Sequence, residues 1–154
     1  MSPERRELHA LEKEDKYVFH GSGSDVASLE PRQAHDDIIG PDGSPAVFAS
    51  NVADYAIFMA IFNKRNCPQG SSTSAGAKTD EEHGLIEMRF AATRDTLDQL
   101  KDDAAGWVYV FNKTDFTRRL RGGVEYVSDG PVTPIKKIQV STRDLPKNIA
   151  IRES

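Results

Sequence analysis

The residues with the clearest chemical potential stand at the end of an apolar run, where Lys16-Tyr17-Val18-Phe19 leads into His20-Gly21-Ser22-Gly23-Ser24. Apolar and aromatic residues bounded by a Gly-Ser turn predict a buried strand that delivers one imidazole to the rim of a pocket. Gly21 has no Cβ, so a ligand can approach the backbone beside that imidazole. Ser22 and Ser24 next to His20 do not make a nucleophile and its base. Neighbours on a strand and its turn rarely face one another, and the chain has no Gly-x-Ser-x-Gly elbow. The turn also lacks the Lys-Ser/Thr ending of a phosphate-binding loop. Hydrolase and nucleotidase chemistry is therefore not expected. His9, His35 and His83 lie in polar or charged surroundings with no second ligand at metal spacing, so no zinc is expected either.

Other elements must pack around the histidine strand to hold it. Upstream, Ser2 as N-cap and Pro3 at the first helical position predict a short charged helix over 3–13 with Leu8 and Leu11 on one side, or equally a frayed tail. The strand itself covers Lys16 to His20. Ser24 then caps a turn through Leu29, which Pro31 stops from continuing as a helix. Residues 30–45, rich in Pro, Gly and Asp, read as a long functional or mobile loop. Ala46-Val47-Phe48-Ala49 is a second apolar strand, and Ser50-Asn51 offers a helix cap. Val52 to Phe62 is almost continuously apolar, which predicts a helix enclosed between layers.

Asn63 to Glu82, with Gly70-Ser71-Ser72-Thr73-Ser74-Ala75-Gly76 inside it, has a composition that orders poorly. From Gly84 to Phe90 the period of two predicts a strand with Ile86, Met88 and Phe90 on a core face. A short helix over Thr93–Lys101 carries Leu97 and Leu100, and Trp107–Phe111 is another strand. Asn112–Asp115 is a turn, Phe116–Gly123 a basic loop with Arg118, Arg119 and Arg121, and Val124–Ser128 a further strand. The last strand runs from about Thr133 to Val140, with Pro134 at an edge or bulge. Short strands with a few inserted helices predict an α+β fold with mostly antiparallel pairing. The expected division is 1–15 as helix or flexible tail, 16–140 as one domain, and 141–154 as a C-terminal tail.

At 154 residues one core is expected, without disulfides or a structural metal. The 20 basic and 24 acidic residues leave a net charge of −4, which gives no support to nucleic acid or an anionic membrane as partner. The lone Cys67 cannot form an internal disulfide, and a reducing compartment suits it best. No signal-peptide core and no long apolar run is present, so a soluble cytoplasmic protein is expected.

Taken together, Phe19-His20-Gly21-Ser22, Val47-Phe48-Ala49-Ser50, Asp54-Tyr55-Ala56 and the late Glu125-Tyr126 resemble, in order and spacing, the ADP-ribosyltransferases of the diphtheria-toxin-like and poly(ADP-ribose)-polymerase-like class. The small rifamycin ADP-ribosyltransferases are similar in length. The resemblance covers roughly residues 16–140 and implies a split β-sandwich of mostly antiparallel strands with a few helices. It also implies NAD as co-substrate. His20 would bond the adenine-side ribose and the Gly21 backbone the nicotinamide carboxamide, with Ser22 and Ser50 beside them. Phe48 would stand where the family usually has tyrosine, with Val47 as a competing match, and Phe58 would stack on the nicotinamide ring. Glu125 would bond the nicotinamide-side ribose and stabilise the oxocarbenium-like transition state.

The resemblance thus implies transfer of ADP-ribose from NAD to an unidentified acceptor, with release of nicotinamide. Arg118, Arg119 and Arg121 would then form an acceptor loop suited to a phosphate-bearing or acidic target. Residue 123 is Gly, so the acidic or amide residue that arginine-modifying toxins place two before their glutamate is missing. Two other functions stay open: a catalytically weak module of the same fold that binds a nucleotide or protein partner, and an NAD-dependent RNA 2'-phosphotransferase. The second needs a basic set around RNA phosphate, and no convincing set is found.

Overall fold

The side chain of Ser2 and the ring of Pro3 start α1 (Pro3–Lys13) as the sequence predicts, with Ser2 Oγ accepting from the Arg5 amide at 3.3 Å. Leu8 is wholly buried and Leu11 packs beside it, so this helix is docked and not frayed. The computed structural model describes residues 1–30 and 46–153. Most of the expected loop over 30–45, with His35, lies outside the described residues.

Along the chain, α1 is followed by β1 (Tyr17–Ser22), β2 (Val47–Ser50), α2 (Ala53–Ile61), β3 (Thr73–Asp80), β4 (Gly84–Thr93) and α3 (Arg94–Gln99). Then come β5 (Ala105–Asn112), β6 (Thr117–Arg118), β7 (Glu125–Ser128), β8 (Lys136–Ser141) and β9 (Ile149–Arg152). Six strands form one antiparallel sheet in the order β6-β7-β2-β1-β5-β8, and three form a second in the order β3-β4-β9. The architecture is α+β with mostly antiparallel strands and few helices, as expected.

Two apolar clusters sandwich the larger sheet. On one face Phe19, Val108 and Val110 meet Ala56, Ile57 and Ala60 of α2 and Leu8 of α1. On the other, Val18, Val47, Ala49, Tyr109, Phe111 and Tyr126 pack together. Such alternation along each strand is what a pleated sheet imposes.

Three expectations are corrected. The Gly-Ser-rich stretch inside 63–82 is not unstructured, because β3 pairs with β4 from Thr73↔Ala92 to Asp80↔Gly84; ladder bonds depend on backbone, so small side chains do not prevent them. In β4 only the Phe90 end is buried. Ile86, assigned to the core face, is 55% exposed, and β9 pairs with β4 only from Phe90 to Thr93. Finally, the expected C-terminal tail over 141–154 holds regular structure between Ser141 and Arg152. Ser141 and Asp144 form a capping box, and β9 adds in parallel to β4. The basic loop also contains a two-residue strand, β6, paired with β7. Among the described residues no helix is long and apolar enough to cross a membrane.

Candidate functional site

A break between two neighbouring strands creates the site. β1 pairs with β5 along its whole length, from Tyr17↔Asn112 to Ser22↔Trp107, but with β2 it registers only Phe19↔Ser50. The Lys16 carbonyl accepts from the Lys113 amide on the β5 side, and strand backbone groups alternate in direction. Those of Gly21 therefore turn toward β2, where the next rung would have joined it to Phe48. Instead the Phe48 carbonyl accepts from His20 Nδ1 at 2.6 Å. A carbonyl only accepts, so Nδ1 carries a proton and is the donor. The strands part at this point, and a cavity of about 260 Å³ opens between them, with His20, Gly21, Ser22, Phe48, Tyr55 and Met59 in its lining.

Gly21 has a second role that its sequence context hid. A Cβ there would run into the Ala56 carbonyl and the Ala60 amide, and one at Gly106 on β5 into the Ala60 carbonyl. The space left by both glycines is filled by α2. This close seating fixes the rotation of the helix, with Ala56 and Ala60 on the sheet and Tyr55 and Met59, one turn apart, facing the cavity. The mouth is shaped by a turn over Ser24–Val26. Tyr109, its ring 6.3 Å from that of His20, donates its hydroxyl to the Ser24 carbonyl and accepts from the Val26 amide at 2.8 Å. Ser22 Oγ accepts from the Ser24 amide at 3.0 Å, so it braces this turn while lining the cavity.

Two expected contacts are displaced by the packing. Phe58 is 1% exposed, with its ring 4.6 Å from Phe62 and 4.9 Å from Phe90, and it does not line the cavity. The aromatic of α2 that does is Tyr55, whose ring lies 5.9 Å from that of Phe48. Tyr55 stands in the motif Asp54-Tyr55-Ala56 of the resemblance but is not assigned the stacking role there, and with Phe58 three residues on along the same helix side the sequence alone does not choose between them. Ser50 is likewise 1% exposed, and its Oγ accepts from the Val52 amide at 3.0 Å. It is spent on the entry to α2.

Glu125 opens β7 directly opposite Ser50, which is itself opposite Phe19. Cross-strand partners share a face, so Glu125 stands on the α2 side of the sheet and His20 on the other. The two do not share one cavity. Glu125 lines a second one, about 200 Å³, together with Tyr55, Ala75–Ala77 of β3, Leu120 and Val124. Tyr55 borders both, and its phenol is pushed up by burial and, secondarily, by the Glu125 charge. Each space is smaller than the roughly 300 to 1,000 Å³ usual for ligand sites, and Tyr55 is a lining residue of both.

Each arginine of the basic loop has a distinct setting. Arg119 Nη1 pairs with Glu125 Oε2 at 3.2 Å, and its amide donates to the Glu125 carbonyl at 2.9 Å. Arg118 donates to the Gly123 carbonyl and lies 5.5 Å from the Tyr126 ring centre. Arg121 is exposed. Elsewhere, Asp80, Glu82 and His83 gather at the exposed β3–β4 turn with ligand atoms within 4.8 Å of one another, a proximity the spacing argument for His83 overlooked. The Glu82 and His83 amides both donate to Asp80 Oδ1, which holds that carboxyl below its usual range and closes the turn.

No family model, curated protein or solved structure matches this chain.

Proposed function

We propose that the protein transfers ADP-ribose from NAD to an acceptor and releases nicotinamide. The observation that carries this reading is the cleft between β1 and β2, where an imidazole, a strand backbone that has left its ladder and two aromatic rings meet, with a carboxylate across Tyr55. Gly21 offers a carboxamide one donor and one acceptor in the geometry of a missing ladder rung. Tyr55 and Phe48 supply π faces for a nicotinamide ring. His20 bonds a ribose hydroxyl.

In the reaction, the bond between the ribose anomeric carbon and the nicotinamide nitrogen breaks, and its electron pair neutralises the pyridinium. Positive charge then builds on the ribose, where the Glu125 carboxylate lowers the barrier electrostatically. A lone pair of the acceptor closes on the anomeric carbon, and the acceptor's proton leaves to solvent. Arg118 and Arg121 are exposed on the loop whose Leu120 and Gly123 line the Glu125 cavity, and their charge suits an acidic or phosphate-bearing acceptor.

Following nicotinamide release from NAD tests this. Wild type should turn NAD over, and Glu125→Ala should lose ~2 to 4 kcal/mol of transition-state stabilisation. Equal rates in the two proteins would overturn the catalytic assignment. A second reading, a weakly active module of the same kind that binds a nucleotide, is favoured by the ion pair that already occupies Glu125 and by the missing hydroxyl at Phe48. Under it, NAD binds with little or no release of nicotinamide.

A further inference from the structure

α2 carries Tyr55, yet it begins without a cap of its own. Its N-cap residue, Val52, has no side chain able to accept from the first amides. The cap comes instead from α1, where Glu12 Oε1 accepts from the Ala53 amide at 2.6 Å. Next along α2, Asp54 is held from the same helix. Arg5 grips it with two bonds, Nε to Oδ1 at 3.0 Å and Nη2 to Oδ2 at 2.9 Å, and His9 Nε2 lies 2.7 Å from Oδ1. Burial alone raises the Asp54 carboxyl, and Arg5 and His9 together more than offset it, leaving it below its usual range. Three successive turns of α1 thus end on two residues, both directly before Tyr55.

α1 is in turn anchored away from α2. Glu7 pairs with Lys136 of β8, Glu4 pairs with Arg143 at 2.7 Å, and Ser2 Oγ donates to the buried Asp144. Leu8 sits wholly buried in the cluster beneath α2. The clamp is therefore fixed to the sheet at one end and to the start of α2 at the other.

We propose that α1 positions the cleft aromatic: Glu12, with Arg5 and His9 acting through Asp54, sets where the first turn of α2 places Tyr55 between its two cavities. These are positioning residues, and the role they support rests on the function proposed above. Uncapped, the first turn frays, and a frayed turn moves Tyr55 before it moves Ala60, which Gly21 and Gly106 hold against the sheet.

The test compares Glu12→Ala with Glu12→Gln in the full chain, because the glutamine amide oxygen can still accept from Ala53. Amide hydrogen exchange is read at Ala53, Asp54 and Tyr55, with Val110 of β5 as reference. Glu12→Ala should speed exchange in that first turn by roughly fivefold to tenfold, the scale of one lost cap, without changing Val110; Glu12→Gln should restore it. The KM for NAD should rise in the alanine variant more than kcat falls. Unchanged first-turn exchange, or an equal change at Val110, would overturn the clamp. If Glu12→Ala does not fold, Arg5→Lys, which keeps the charge and loses the two-pronged grip, is read the same way. Exchange needs no NAD, so absence of NAD turnover in wild type would remove the proposed function and leave this comparison decisive.

Discussion

At the scale of single residues, Gly21 shows how one position serves two demands. Its backbone faces the cleft and its empty side faces Ala56 and Ala60, so a methyl group is excluded by the helix and not by a ligand. Gly21→Ala should therefore destabilise the protein even without ligand, by about 1 to 3 kcal/mol as overpacking against backbone does. Gly23→Ala meets only the side-chain end of Asn63 and should cost less; urea midpoints of the two variants check the contrast. Phe58 and Tyr55 make a second pair. Phe58→Ala empties a core site and should cost about 3 to 5 kcal/mol of stability while sparing NAD turnover per folded molecule. Tyr55→Ala should do the reverse, losing turnover with less stability, whereas Tyr55→Phe keeps the ring and most of the activity. Melting curves and nicotinamide release from the same samples separate the two roles.

At the scale of elements, the contact of α1 with α2 carries a pH signature. Asp54 has a folded carboxyl value below its unfolded one, so its contribution is fully present above the unfolded value of about 3.9 and is lost as pH falls through the lower folded value. Glu12 has the opposite sign. Burial raises its carboxyl, so its contribution is present below the unfolded value and is lost as pH rises through the folded one. Wild type should thus lose stability on acidification below about pH 4, and Asp54→Asn should flatten that acid limb. Urea midpoints followed from about pH 6 to about pH 2 test it, and an unchanged limb in Asp54→Asn would remove Asp54 as its source.

At the scale of the whole molecule, the fold buries the only thiol. Cys67 is 1% exposed, its Sγ lies 3.9 Å from the Thr96 carbonyl, and burial pushes the thiol up. A thiol reagent should therefore label it through unfolding and not in the native state. The labelling rate should follow denaturant as unfolding does and should increase in Phe58→Ala, because the lost core ring makes unfolding easier. Rapid labelling of native protein would show that this region opens locally.

What was legible in the sequence was local. The cap at Ser2, the proline after it and the apolar strand into His20-Gly21 each act over a few residues, so α1, β1 and the place of the cleft could be read directly. The apolar run of α2 was just as legible as a helix, but a helix apolar on all sides does not say which side meets the sheet. Only the seating of Ala56 and Ala60 on Gly21 and Gly106 decided that, turning Tyr55 to the cleft and Phe58 to Phe90. Ladder partners are equally non-local. β3 and β9 have no strong pattern of their own, and they become strands because β4 offers both edges to them. The same holds for Glu125, whose place across Tyr55 from His20 is set by the row Phe19, Ser50, Glu125 through three paired strands, a relation that no stretch of chain contains by itself.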